Sequence, residues 1–286
     1  MDFIYVLKAI IIAIVEGLTE FVPVSSTGHM ILVGSAINFT GDFPKMFEVV
    51  IQLGAILAVV VLYWTKIKDS VIEFFQYIFS KGKKGEIGFK FGINVIVASI
   101  PALIMGMLFY KKIKSLFAPE YVVTGFIVGG FLLLFIENYF RKNNRKKATV
   151  SIDEITPAQA FKVGCFQVLS MWPGMSRSAS TIMGGWVSKL STPLAAEFSF
   201  FLAIPAMFGS SGKDLYEYFK TTPDMNLTTW ISLIVGFIVA FIVSLIVIKK
   251  FIEFLKKRPM RVFAIYRIAA GIILAVLILT KTITLS

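Results

Sequence analysis

Uncharged apolar runs alternate along the chain with short basic segments. Residues 91–109 (FGINVIVASIPALIMGMLF), 121–136 (YVVTGFIVGGFLLLFI) and 227–248 (LTTWISLIVGFIVAFIVSLIVI) hold no acidic or basic side chain and approach or reach the roughly 20 residues that carry a helix across a bilayer. Runs 47–64, 194–212 and 262–280 hold one each, Glu48, Glu197 and Arg267. The pattern predicts six transmembrane helices. Two further apolar stretches, 4–37 and 158–188, are interrupted near the middle by proline and small hydroxyl residues, and predict re-entrant helical hairpins. Non-helical backbone at membrane depth must be shielded by protein or line a wet cavity, so both breaks belong inside the bundle.

The polar segments assign sides. Lys66, Lys68, Lys81, Lys83, Lys84 and Lys90 fall in the loop 65–90, Arg141, Lys142, Arg145, Lys146 and Lys147 in the loop 137–157, and Lys249, Lys250, Lys256, Lys257, Arg258 and Arg261 in 249–261. These three are expected to be cytoplasmic. Loops 110–120 and 213–226 are less basic, the second offset by Asp214, Glu217 and Asp224, so both termini are expected outside. The chain reads as a single membrane domain of two units, about 1–145 and 150–286, each a hairpin followed by three spans. An offset of 150 places Pro23 on Pro173 and Ser26 on Ser176. Three crossings per unit invert the second unit, so the hairpins enter from opposite faces and their tips meet near the midplane. IPALIMG (100–106) and AIPAMFG (203–209) do not fit that offset.

Composition closes off other classes. Of 286 residues 57% are hydrophobic and 16% charged, with mean hydropathy +0.80, which a soluble domain does not show. The apolar run 9–15 leads into Glu16 and Glu20, not into a small-residue cleavage site, so the N-terminus is expected in the mature protein. A net charge of +12 sits in loops between spans, which points to membrane lipid headgroups and not to nucleic acid. The lone Cys165 allows no internal disulfide and no cysteine-built metal site, and is expected to be a packing residue. The four tryptophans, Trp64, Trp172, Trp186 and Trp230, are expected mostly as interfacial anchors.

The stretch VEGLTEFVPVSSTGHM (15–30) concentrates the chemistry. Glu16 and Glu20 are four apart and share a helix face. Carboxylates at membrane depth call for a metal ion, a basic partner or a proton. After Pro23, the residues Ser25, Ser26 and Thr27 suit the cap of a second half-helix beginning near Gly28. The other hairpin repeats the design in MWPGMSRSAST (171–181), where Ser176 or Ser178 caps a helix running toward Trp186. Two helix N-termini converging on one place form an anion site, and Arg177 adds a planar fork suited to phosphate oxygens. His29 lies three residues after Ser26, so both are expected to face one cavity, with imidazole as base, acid or nucleophile. Glu48, Gln52, Asn94 and Glu197 either line that cavity or pair elsewhere. A divalent cation on Glu16 and Glu20 and a phosphorylated ligand on Thr27, Ser176, Arg177 and Ser178 would make a site for lipid phosphate chemistry or lipid phosphate transport.

EGLTEFVPVSSTGH (16–29) together with MWPGMSRSAST resembles the signature pair of the bacterial undecaprenyl-diphosphate phosphatases of the bacitracin-resistance type. IQLGAILAV (51–59) and AAEFSFFLAIP (195–205) are also similar to that family, end to end along the chain. The resemblance implies hydrolysis of undecaprenyl diphosphate to undecaprenyl phosphate on the outer side of the bacterial plasma membrane, recycling the carrier for cell-wall synthesis, with Mg²⁺ or Ca²⁺. It implies Glu16 and Glu20 as the acidic pair, Ser26 and Thr27 as the hydroxyls, His29 as the essential imidazole, and Ser176 and Arg177 at the second tip. Ala179 departs from the glycine expected in P-G-x-S-R-S-G. Ser26, His29 and metal-bound water remain alternative nucleophiles. A polyprenyl-phosphate transporter is the alternative function, and a homodimer is left open.

Overall fold

The computed structural model describes residues 2–116, 119–143, 148–221 and 225–280. Arg145, Lys146, Lys147 and Asp224 of the charge count lie outside the described residues. Eleven α-helices follow in order, with no strand among the described residues. They are α1 (Phe3–Thr19), α2 (Ser26–Ala36), α3 (Asp42–Leu62), α4 (Trp64–Phe79), α5 (Glu86–Ser115), α6 (Pro119–Asn143), α7 (Pro157–Gln167), α8 (Arg177–Val187), α9 (Thr192–Thr221), α10 (Leu227–Lys257) and α11 (Arg261–Leu279). A 3₁₀ turn, Val168–Met171, extends α7.

Among the described residues six helical stretches are long and apolar enough to cross a membrane: Asp42–Leu62, Glu86–Phe109, Glu120–Asn143, Thr192–Tyr218, Leu227–Lys257 and Arg261–Leu279. They coincide with the six apolar runs and extend most of them into polar flanks. Helix starts follow local capping rules. Asp2 accepts from the Tyr5 N–H at the head of α1, Asn226 from the Thr229 N–H at the head of α10, and Thr156 and Gln159 form a reciprocal capping box before Pro157 at α7. α5 holds Pro101 and departs from helical dihedrals at Phe109.

Three expectations are corrected. The segment after Leu62 is not a plain loop, because Trp64–Phe79 is helical. Val71, Ile72, Phe75, Ile78 and Phe79 recur at helical spacing and stay exposed, while Phe89 of α5 packs against Tyr77 at 4.2 Å and Phe74 at 5.2 Å between ring centroids. Cys165 is exposed, not packed, since α7 turns Val163 and Gly164 inward instead. Trp186 is no interfacial anchor. It is fully buried, stacks on Phe140 and donates from Nε1 to Thr192 Oγ1 at 3.0 Å.

Each broken helix pair packs on a long helix from the other half of the chain. α1 lies along α10 and α7 along α5, and both approaches are closed by glycine. A methyl on Gly17 would fall 2.7 Å from Val243 Cβ, and one on Gly164 would fall 2.2 Å from the Ala98 carbonyl oxygen. α3 meets α9 and α6 meets α11 across the middle. Phe21, Pro23 and Val24 of the first break and the four residues 173–176 of the second are buried, while Leu169 and Trp172 of the second stay exposed.

Candidate active site

The two breaks share a local form. α2 and α8 each run 11 residues, each preceded by a serine with positive φ, Ser25 at 72° and Ser176 at 69°. Each is followed by another such residue, Asn38 at 52° and Lys189 at 62°. Side chains with a Cβ rarely adopt this backbone, and it concentrates at sites whose surroundings over-determine it. The structural correspondence is therefore Ser25 with Ser176 and Ser26 with Arg177, one residue off the match of Ser26 with Ser176. The second break carries one extra residue between its proline and its cap. Ser176 accepts from the Ala179 N–H, whereas Ser25 makes no side-chain cap bond. α2 begins at Ser26, a half-turn before the expected start near Gly28.

A cavity of about 220 Å³ opens between the tips, lined by Glu20, Ser26, Thr27, Ser176 and Arg177, with Gln52 from α3 and Ser170, Ala206, Met207 and Ser210 beside them. Residues far apart in the chain meet there. Arg177 Nη2 donates to Glu20 Oε1 at 2.9 Å, and Nη1 donates to the Ser199 carbonyl at 2.7 Å. The guanidinium stands 5.9 Å over the Phe21 ring, whose edge meets Phe200. Arg177 Nε is buried without a partner among the described residues. Ser26 Oγ donates to the other oxygen of Glu20, so one carboxylate holds a hydroxyl and a guanidinium at once. With both partners mostly buried, this is a pair whose attraction is little screened by water.

Other expected residues lie elsewhere. Ser178 is fully buried and shares a 3.2 Å hydrogen bond with Ser176 Oγ, outside the lining of the cavity. His29 also stands off the lining. Three residues of helix advance about 300°, which leaves Ser26 and His29 on adjacent sectors of α2. Ser26 turns to Glu20 while the imidazole turns toward α6 and α11, against Phe126 and Tyr266. Gly28 lets this happen, since a methyl there would fall 2.1 Å from a Phe126 ring carbon. Of the supporting candidates only Gln52 lines the cavity. Asn94 donates to the Ile155 carbonyl at 2.6 Å, and Glu197 accepts from Tyr63 at 3.4 Å.

Glu16 lies behind Glu20, fully buried, with neither carboxylate oxygen hydrogen-bonded. Its electrostatic neighbours are Glu20, Glu48 and Arg177. An orphaned buried carboxylate beside a second one fits a hard cation, which takes oxygen ligands. No group of three or more His, Cys, Asp or Glu gathers among the described residues, so phosphate oxygens would have to complete such a set, as is usual for Mg²⁺.

Ser199, Phe21 and Tyr266 carry no functional signal in the sequence, and Arg267 shows there only as a charge in a span. Arg267 is fully buried and donates to the Gly125 and Gly174 carbonyls. The lone basic residue in an apolar run was its only signal.

A family model described as "Bacitracin resistance protein BacA" matches residues 9–273. The chain is 67% identical over 284 residues to "Undecaprenyl-diphosphatase 2" of Clostridioides difficile (strain 630), covering 99% of each. It is 63% identical over 304 residues to an undecaprenyl-diphosphatase of Clostridium perfringens (strain 13 / Type A), again covering 99% of each. It is 54% identical over 281 residues to one of Clostridium tetani (strain Massachusetts / E88), covering 98% of this chain and 99% of that one.

Proposed function

This chain belongs to the bacitracin resistance protein BacA family, and we propose that the cavity between its two tips is where it acts as an undecaprenyl-diphosphatase. It is a multi-span membrane protein and a hydrolase, converting undecaprenyl diphosphate to undecaprenyl phosphate and inorganic phosphate. The carrier so returned to cell-wall synthesis is the link to bacitracin resistance. One observation carries the assignment of the site: Glu20 of the first tip binds both Ser26 and, 157 residues away, Arg177 of the second.

The geometry supports Ser26 as the nucleophile. Its hydroxyl proton passes to Glu20 Oε2 as Oγ attacks the terminal phosphorus. The bond to the bridging oxygen breaks, and its electron pair leaves with the lipid monophosphate. Water then adds at the phosphoserine phosphorus, the P–Oγ bond breaks, the proton held on Glu20 returns to Ser26 Oγ, and both protons of the water leave with the inorganic phosphate. Phosphoryl transfer asks the protein mainly for positioning and charge neutralisation. Arg177, the unpaired N–H groups of α2 and α8, and the hydroxyls of Thr27 and Ser176 serve that purpose. Glu16 and Glu20 would hold a divalent cation, Mg²⁺ or Ca²⁺, which when bound neutralises diphosphate charge. His29, with both ring nitrogens engaged outside the cavity, supports the first tip.

The helix pairs α1–α2 and α7–α8 are read as re-entrant hairpins of an inverted repeat with units of about 1–145 and 150–286. Their short half-helices and the exchanged packing support this. Ala206, Met207 and Ser210 line the cavity on the half of α9 leading into 213–226, the less basic segment, which supports a site that opens outward from the bacterial plasma membrane.

Inorganic phosphate released from a polyprenyl diphosphate by detergent-purified protein tests the assignment, with and without chelator, beside Arg177→Ala and Glu20→Ala. Release that needs metal and collapses in both variants is expected. Lipid binding by folded protein without any release would instead make the chain a carrier.

A further inference from the structure

α11 presents two neighbouring side chains that reach different tips. Tyr266, 47% exposed, brings its hydroxyl to 2.6 Å from His29 Nε2. The rings stack with centroids 5.6 Å apart and planes 9° from parallel. On the other side of the imidazole, Nδ1 lies 2.8 Å from the Ser25 carbonyl oxygen. A carbonyl only accepts, so the ring proton sits on Nδ1, and Nε2 accepts from the tyrosine hydroxyl. Ser25 is the residue held at φ 72°, and the next residue is Ser26. The adjacent Arg267 donates to Gly174 of the second tip at 2.8 Å, where φ is 88°. One turn of one helix is thus tied to the left-handed backbone of both tips.

We infer that Tyr266 is a positioning residue of the phosphatase reaction, acting through His29 on the Ser25 turn to hold Ser26 at its attack position. The inference rests on the reading of the cavity as the active site. A left-handed serine without a side-chain cap bond, whose carbonyl otherwise accepts only the longer 3.3 Å bond from the His29 backbone N–H, needs an outside constraint. The imidazole supplies it only when its proton and ring plane are fixed, and Tyr266 fixes both. A residue that merely filled space beside His29 would serve equally well as phenylalanine.

The test is Tyr266→Phe in the full chain, which keeps the stacked ring and removes one hydroxyl at a half-exposed position. Phosphate release from a polyprenyl diphosphate is followed for wild type and variant together with thermal unfolding. If the wild type releases no phosphate, the phosphatase reading fails first. With an active wild type, kcat is expected to fall about tenfold while KM and Tm stay unchanged. His29→Asn keeps a donor for the Ser25 carbonyl but offers the tyrosine no ring nitrogen, so adding Tyr266→Phe to it should change kcat less than twofold. Wild-type kcat in Tyr266→Phe, or equal fold-losses in the two backgrounds, overturns the inference.

Discussion

Replacing Arg177 by lysine separates the charge of this side chain from its shape. The guanidinium binds Glu20 with one nitrogen and the Ser199 carbonyl with another, which fixes its plane across the cavity. An ammonium keeps the positive charge beside Glu20, so the carboxylate is not stranded. Its single nitrogen on a flexible stem cannot hold both partners and still present a fork to phosphate. The loss is about one charge-assisted hydrogen bond, roughly 1.5–3 kcal/mol. At about 1.4 kcal/mol per decade this is roughly a 10- to 150-fold fall in kcat/KM. Truncation to methionine is a blunter probe, because leaving Glu20 buried and unpaired costs about 3–5 kcal/mol and confounds folding with catalysis. The assay is steady-state phosphate release from a polyprenyl diphosphate in detergent, with Tm measured on the same preparation. A lysine variant within threefold of wild type at unchanged Tm would refute the reasoning, because a point charge would then suffice.

Ser26→Ala should abolish phosphate release while retaining lipid binding, and wild type stopped during turnover should carry phosphate on Ser26; turnover in the alanine variant would move the nucleophile elsewhere. Gly125→Ala places a methyl 2.2 Å from the Pro173 carbonyl oxygen, a backbone atom that cannot step aside, so Tm should fall with a loss of about 1–3 kcal/mol and activity should fall with it. An unchanged Tm would mean the second tip is not held against α6. A cysteine at position 83, in a chain whose exposed Cys165 is replaced by serine, should be labelled by an impermeant reagent only after the membrane is opened; labelling of intact cells would invert the orientation.

Much of this was legible in the sequence, and the reason is physical. Bilayer thickness imposes a length and basic flanks impose an orientation, so the six spans can be found by counting. α4 escaped because Lys66, Lys68, Asp69 and Glu73 break its apolar run, and only the helical spacing of Val71, Ile72, Phe75 and Ile78, which stay exposed, betrays a helix. The tips were legible because proline and serine act locally, through a missing donor and a cap. The positive φ of Ser25 and Ser176 was not, since neither position carries the glycine or asparagine that usually marks such backbone. The direction of His29 was likewise hidden. Helical spacing fixes a sector to within about 60°, and here that margin decides between the cavity and Tyr266. Pairings across 157 residues, such as Arg177 with Glu20, leave no periodic trace at all.

The exchanged packing of the helix pairs has a consequence for how this chain is made. Gly17 closes against Val243 of α10, which leaves the ribosome more than 200 residues later. At roughly 5–20 residues per second that interval is on the order of 10–45 s. Throughout it the nascent α1–α2 segment has no α10 to lean on, and for the first 157 residues after Glu20 it has no Arg177 to answer the charge of that carboxylate. The first half cannot finish folding when it emerges, and has to be held by the insertion machinery or wait at the membrane surface until the second half arrives. Assembly of α1 is therefore gated by the arrival of α10. A chain stopped short of α10 exposes its acids to quality control instead of settling as a stable half-protein.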